Sequence, residues 1–393
     1  MIGAMKSSLD PRRQDAKSEE MSRRVLDWWD RHRRSLPWRA APGQRADPYR
    51  VWLSEILLQQ TNVQTAIPYF ERFAALWPRV EDLAAAPLED VMRVFAGLGY
   101  YSRARNMHAC AREIARRGGE FPSEEAELRA LPGVGAYTAA AVAAIAFNRW
   151  ASPVDGNIAR IMTRLRAIEA PIAKAKGEIA AAAAALTPAD RPGDFAQALM
   201  DIGAMICGPR NPDCPACPLR PACAGAATGQ PQAYPRKQSR KARPQRRGAA
   251  FLAQASDGSI LLRARPPEGL LGGTIELPGT PWSVDFAPDE AAGAAPFAAP
   301  WRLAPGLVEQ AFTHFSLHLD VYVACLPGKP PARDGCFWVE RRDIQSAALS
   351  SVMRKAVARG MMFARDGEDA PEAQRVSKRR NGLSTKGPST PRS

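Results

Sequence analysis

The stretch CGPRNPDCPACPLRPAC at residues 207–223 carries four of the chain's seven cysteines, Cys207, Cys214, Cys217 and Cys223, with six, two and five residues between them. No other feature constrains the fold as tightly, because a proline-rich loop with this spacing must curl into a compact cage of thiols. Three fillings would suit such a cage: two disulfides, a structural zinc, or an iron–sulfur cluster. Disulfides need an oxidising compartment, and the N-terminus MIGAMKSSLDPRRQDAKSEE lacks the apolar run of a secretory signal. A cytoplasmic chain holding a metal is the expectation. Zinc sites usually pair two short knuckles set well apart, whereas one short spacing inside one tight loop suits a cuboidal cluster better. Cys110, Cys325 and Cys336 lie scattered in apolar contexts and read as small core residues.

A chain of 393 residues is too long for one typical core. Apolar residues recur at helical spacing in MSRRVLDWWDRH, VWLSEILLQQTNVQTAIPYFERFAALW and LEDVMRVFAGL, so residues 21 to about 206 read as successive helices punctuated by Pro87, Pro122, Pro132, Pro153 and Pro188. Beyond a Pro/Gln/Arg-rich stretch the period changes to two: GSILLRAR and SLHLDVYVAC alternate, WRLAPGL and GCFWVE have strand composition, and a helix is expected near 343–358. The organisation expected is multidomain. A disordered 1–20 precedes an all-α region over 21–224 that includes the cysteine loop. A basic linker over 225–248, an α+β domain over 249–365 and a disordered basic tail over 366–393 follow.

Lys and Arg number 54 against 40 acidic residues, a formal net charge of +14, and that excess suits a polyanion such as nucleic acid. PRKQSRKARPQRR at 235–247 has seven basic residues and no acid, and the C-terminus RVSKRRNGLSTKGPSTPRS is similarly one-sided. Such segments add salt-sensitive affinity for phosphates that ignores sequence.

Three stretches of the helical region could do chemistry. LPGVGAYTAAAVAAIAF at 131–147 brackets Val134 with Gly133 and Gly135 and runs into an Ala-rich helix; a tight turn there would aim helix N-terminal amides outwards, a seat for one DNA phosphate. SPVDGNIARIMTRL follows, with Asp155 at a helix start, where an aspartate is most often an N-cap, and Asn157 two residues on. Glu55, in DPYRVWLSEILLQQTNVQT, sits among Val51, Trp52, Leu53, Ile56 and Leu57. Periodicity alone leaves open whether Glu55 faces solvent or the interior, and burial would raise its pKa and keep it protonated near neutrality.

Hairpin, Gly/Pro-rich loop and aspartate together resemble the helix-hairpin-helix DNA glycosylase superfamily, and the cysteine spacing resembles the cluster loop of its endonuclease III branch. Bifunctional members carry a lysine at the position of Tyr137, whose amine attacks the sugar. A tyrosine there makes the chain resemble the monofunctional adenine glycosylases of the MutY type. The resemblance implies a four-iron four-sulfur cluster on the four cysteines, with Arg210 and Arg220 as phosphate contacts. It also implies that Glu55 is the acid for a purine leaving group, that Asp155 is the carboxylate facing an oxocarbenium-like centre, and that Tyr137 and Asn157 are polar supports, a division familiar from glycoside hydrolysis.

Catalysis on a base requires that it leave the stack. QQT at 59–61 and GLGYYSRARN at 97–106 resemble the family's duplex-probing loops, with Gln60 and Tyr100 filling and wedging the stack beside Thr61 and Leu98; LPWR and FAQAL match segments that put Arg39 and Gln197 near the extruded adenine. GLLGGTIELPG at 269–279 resembles the strand-turn of Nudix domains, but the residues that follow lack the carboxylate-rich helix with which active hydrolases collect Mg2+. In MutY proteins such a domain reads 8-oxoguanine through a Phe-Ser-His loop; Phe312, Thr313 and His314 match it, threonine keeping the hydroxyl. The expected partner is double-stranded DNA with A opposite 8-oxoguanine or G, acted on by a monomer at the nucleoid, not a membrane, with downstream repair proteins following. The rivals are an endonuclease III-like glycosylase/lyase for oxidised pyrimidines and a non-catalytic iron–sulfur DNA sensor.

Overall fold

The computed structural model describes residues 14–236 and 243–368, apart from 267, 333, 334 and 346. The chain divides into two compact units, Met1–Lys241 and Ala242–Ser393.

Twelve α-helices build the described part of the first unit. They are α1 (Ala16–His32), α2 (Pro48–Leu58), α3 (Val63–Leu76), α4 (Val80–Ala85), α5 (Leu88–Phe95), α6 (Ser102–Arg116), α7 (Glu125–Arg129), α8 (Ala136–Phe147), α9 (Gly156–Leu165), α10 (Lys176–Leu186), α11 (Pro192–Met205) and α12 (Ala224–Ala227). Pro87, Pro122, Pro132, Pro153 and Pro188 all fall between helices, whereas Pro68 lies inside α3. Helix α1 starts before the expected boundary at 21, because the Asp15 carboxylate accepts from the Ser18 amide and caps it. The disorder expected over 1–20 therefore does not extend to residues 14–20, and residues 1–13 lie outside the described ones.

Helix α2 is the axis of the unit. Asp47 caps it, Pro48 occupies its first turn, and every residue from Val51 to Leu57 is buried. Because α2 is enclosed on all sides, its sequence carries no amphipathic stripe to reveal which way Glu55 faces. Ala-rich α8 lets α11 approach closely: a Cβ on Gly193 would stand 2.3 Å from the Ala144 carbonyl oxygen. A second core joins α1, α9, α10 and α11 through Val25, Trp29, Met162, Phe195 and Ile202, and the cysteine loop packs on it through Cys207, Cys217 and Cys223.

The stretch expected as a linker over 225–248 is ordered at both ends. Helix α12 ends at Ala227, Tyr234 is buried and hydrogen-bonded to Glu169, and Arg236 pairs with the same carboxylate. Its last residues open β1 (Gln245–Ala255) of the second unit, which continues with β2 (Ile260–Ala264), β3 (Ile275–Glu276), β4 (Arg302–Leu303), β5 (Val308–Ala311), β6 (Ser316–Leu326), β7 (Cys336–Val339) and α13 (Ser351–Glu368). Sequence patterning missed β1 because this strand is central, parallel to β6 and buried for six residues running, and such strands do not alternate.

One sheet holds all seven strands in the order β3-β2-β1-β6-β4, with β5 on β6 and β7 on β2, and α13 covers one face. That helix begins later than the sequence suggested, at Ser351, and runs into the expected tail as far as Glu368. Cys325 is exposed and Cys336 half-buried, so of the three scattered cysteines only Cys110 is a core residue. Among the described residues no helix is long and apolar enough to cross a membrane.

Candidate active site

The interior of the first unit brings three sequence-distant groups together. Glu55 from the middle of α2 is only 6 % exposed. Its carboxyl is hydrogen-bonded to Tyr137 from the first turn of α8, and Asp155 at the start of α9 lies near enough for its charge to act on both. Burial, reinforced by the charge of Asp155, pushes Glu55 up to about 7 despite the opposing hydrogen bond from Tyr137 and the charge of Arg39. Burial and the two carboxylates push the Tyr137 phenol well above its usual range. An acid that titrates near neutrality therefore lies within reach of a second carboxylate.

Asp155 is the N-cap of α9, as its position suggested, but only one of its oxygens is spent on the cap. Oδ1 accepts from the Ile158 amide at 2.7 Å, and Oδ2 accepts from Asn157 Nδ2 at 2.9 Å. Asn157 Oδ1 in turn accepts from Arg160 Nη2, which also donates to the Gly203 carbonyl, while Arg160 Nε donates to the Cys207 carbonyl. Gly203 is required here, since a Cβ would meet Asn157 Cβ at 2.5 Å. The aspartate is thus tied through one asparagine and one arginine to the backbone of the cysteine loop.

The two glycines before α8 differ in what they do. Gly133 has φ +72°, and a Cβ there would strike Asn106 at 2.5 Å, so this turn admits glycine. Gly135 has ordinary backbone geometry, φ −83°, with open space around it. It is the N-cap of α8 and gives no side-chain cap, leaving the first-turn amides available to an anion.

Gln60 and Tyr100 project from the surface, Tyr100 being 49 % exposed, and both have left-handed backbone, φ +58° and +50°. Thr61 is half-buried beside Gln60. Leu98, expected beside Gln60 and Tyr100, is buried.

Arg39 and Gln197 line a cleft of about 870 Å³ together with residues of the C-terminal end of α8. Arg39 is held bidentate by Asp201 at 2.7 and 2.9 Å, and Gln197 donates to the Gly193 carbonyl. Arg34 completes a triad, donating to Asp201 from its backbone and from Nε.

The four loop cysteines form no disulfide and line one cavity with Arg164, Asp213 and Arg220. Arg164, 2 % exposed, donates to Cys207 Sγ at 3.2 Å and to the carbonyls of Cys207, Gly208, Pro209 and Tyr234. Among the described residues no three His, Cys, Asp or Glu side chains converge tightly enough for a single metal ion. Four thiols around one cavity are the donor set that an iron–sulfur cluster takes. Arg210 and Arg220 are exposed on the same loop.

In the second unit, Phe312, Thr313 and His314 lie in the turn joining β5 to β6, closed by the Phe312 amide donating to the Phe315 carbonyl. Thr313 and His314 are exposed. Phe312 stacks on Phe315 at 4.7 Å and packs on Trp282 at 5.8 Å; the Arg246 guanidinium covers Phe315 and that of Arg265 covers Trp282. The matched loop therefore stands on a braced aromatic platform. Glu276, the buried carboxylate of β3, is committed to Arg263 and Arg265.

Sequence reading missed the arginines and the aspartate that brace these groups. Arg164 and Asp201 carried a signal, a charge set among apolar neighbours in IARIMTRL and ALMDIGAM. Arg160 shares that stretch, and Arg103 carried no such signal.

A buried acid, a capped carboxylate and an open helix N-terminus behind a glycine turn suit cleavage of a glycosidic bond beside a phosphate. The HhH-GPD superfamily base excision DNA repair protein family matches residues 53–188, and the NUDIX domain family matches residues 249–359. The human adenine DNA glycosylase is 34 % identical over 84 % of this chain and 72 % of its own length, and that of Rattus norvegicus is 34 % identical over 85 % and 76 %. Among solved structures, a thermostable thymine-DNA glycosylase is similar with a TM-score of 0.48 and 29 % identity, covering 55 % of this chain and all of its own. The chain belongs to the adenine DNA glycosylase family.

Proposed function

We propose that the protein excises adenine mispaired with 8-oxoguanine or guanine from duplex DNA, without cutting the strand. The observation that carries this is Glu55, raised to about 7 by burial, hydrogen-bonded to Tyr137 and within reach of the charge of Asp155. Glu55 delivers its proton to N7 of the flipped adenine, which weakens the glycosidic bond. As that bond breaks, positive charge grows on the sugar, and the Asp155 carboxylate, oriented by Ile158 and Asn157, stabilises it until water adds and an abasic site remains. Tyr137 offers no amine for a Schiff base, which favours this reading over a lyase.

Gln60 and Tyr100 would take the space that the extruded base vacates. The uncapped N-terminus of α8 would seat one phosphate, with Gly133 and Gly135 at the turn. Thr313 and His314, on their aromatic platform, would read the base opposite. Cys207, Cys214, Cys217 and Cys223 would hold a four-iron four-sulfur cluster. When bound it supplies a rigid crosslink of the loop, fixing Arg210 and Arg220 for the DNA backbone.

Labelled duplexes carrying A opposite 8-oxoguanine, G, C or T, treated with alkali after incubation, test the reading. Breakage at adenine in the first two alone is expected. Indifference to the opposing base would remove the role given to the second unit, and a covalent adduct trapped by borohydride would revive the lyase. Asp155→Asn should lower single-turnover base release about 10²- to 10³-fold with the visible absorbance of the cluster unchanged, and full activity in this variant would refute the assigned role.

A further inference from the structure

Gln60 and Tyr100, both exposed and both with left-handed backbone, belong to different loops, and one buried side chain reaches both. Arg103 lies in the first turn of α6 with 8 % exposure. Its Nη1 donates to the carbonyls of Ile56 and Gln59, and its Nη2 donates to those of Leu98 at 3.0 Å and Gly99 at 3.1 Å. The guanidinium plane lies over the Phe95 ring, 4.9 Å from its centroid.

Two of these carbonyls have special positions. Gln59 contributes the peptide oxygen immediately before Gln60, and Gly99 the one immediately before Tyr100. Left-handed backbone is disfavoured for residues with a Cβ, and it persists where the surroundings over-determine it. Here the same planar fork fixes the peptide in front of each left-handed residue. Burial lowers the pKa of Arg103 to about 10, so it remains a cation at neutral pH. The dipoles of these carbonyls, including those at the C-terminal end of α2, balance its charge.

We propose that Arg103 is a positioning residue that sets Gln60 and Tyr100 as a matched pair before DNA arrives, coupling the two duplex-probing loops through one guanidinium. The proposal rests on the probing role given to those loops above. Lysine, with three donors on one atom, cannot span two pairs of carbonyls, so Arg103→Lys separates the fork from the charge.

The experiment follows flipping directly, by stopped-flow fluorescence of 2-aminopurine placed at the target position opposite 8-oxoguanine. In Arg103→Lys the flipping rate should fall about 10- to 100-fold, the scale of a misplacement of about 1 Å. The pH profile of base release from an unpaired bubble should stay where Glu55 sets it. A flipping rate equal to the wild type, or a shifted pH profile, would overturn the proposal. A second measurement needs no variant: in the wild type without DNA, hydrogen exchange of residues 58–62 and 97–101 should be slow, and rapid exchange in both would overturn pre-positioning even if Arg103→Lys fails to fold. A wild type that raises no fluorescence while still releasing adenine would strike down the probing role of the loops, a failure distinct from that of the clamp.

Discussion

Glu55→Gln is expected to lower the rate of adenine release by about 10²- to 10⁴-fold, the usual contribution of a positioned acid, and at the same time to make the protein more stable. The two effects share one cause. Burial among the apolar residues of α2 raises Glu55 to about 7 from an ordinary value near 4.5. A raised acid contributes fully to stability below the unfolded value, and that contribution is lost as pH climbs from about 4.5 through about 7, because the unfolded chain releases its proton first. Since every tenfold change in proton affinity is worth about 1.4 kcal/mol, the ionised side chain costs the fold about 3 kcal/mol above pH 7. Glutamine keeps an oxygen for the Tyr137 hydroxyl and cannot ionise. Denaturant unfolding at pH 5 and at pH 8.5 should therefore show a gap between variant and wild type that widens with pH; a constant gap would mean that Glu55 is not a buried acid. Wild-type activity should likewise fall as pH rises through about 7, since the acid form does the work.

Asp201→Asn should show the opposite balance, a large loss of stability about 3–5 kcal/mol deep from a residue that touches no substrate. Asp201 is fully buried and receives Arg34 and Arg39 at 2.6 and 2.7 Å. Burial alone would raise its pKa, but the hydrogen bonds and charges of Arg39 and Arg34 outweigh that and hold it below the usual carboxylate range. Its contribution is present above the unfolded value near 3.8 and is lost as pH falls through the folded one. Asparagine would leave two guanidiniums without their counter-charge. Urea unfolding at pH 7 measures the cost, and a loss below about 1 kcal/mol, the range of surface ion pairs, would show that the triad is solvated. Since Arg39 also acts on Glu55, the variant's pH profile should move as well.

How much of this could be read beforehand differs from residue to residue. The cysteine cage was legible because its spacing lies within one loop, and Asp155 because helix starts favour aspartate. Glu55 was named as the acid by resemblance, but its own stretch of sequence did not show its burial. Its helix is surrounded on every side, so periodicity carried no information about direction, and the raised pKa exists only through burial and the approach of Asp155. The support that Gln60 and Tyr100 share was invisible for a related reason: they stand forty positions apart, and Arg103 looks like any arginine at the start of a helix. Central β1 was hidden in a basic stretch because enclosure on both faces erases alternation.

The sequence by itself determined the local matters: the helical and strand-rich regions, the thiols of one loop, the glycine turn before α8 and the capping carboxylate of α9. Each of these rests on contacts a few residues apart, where propensity and stereochemistry act alone. Tertiary structure decided which charges are buried and what lies near them: an acid of raised pKa near a carboxylate, an aspartate between two arginines, a guanidinium between two loops. The reason is that desolvation and Coulomb interactions depend on distance in space, which the order of residues along a chain does not contain.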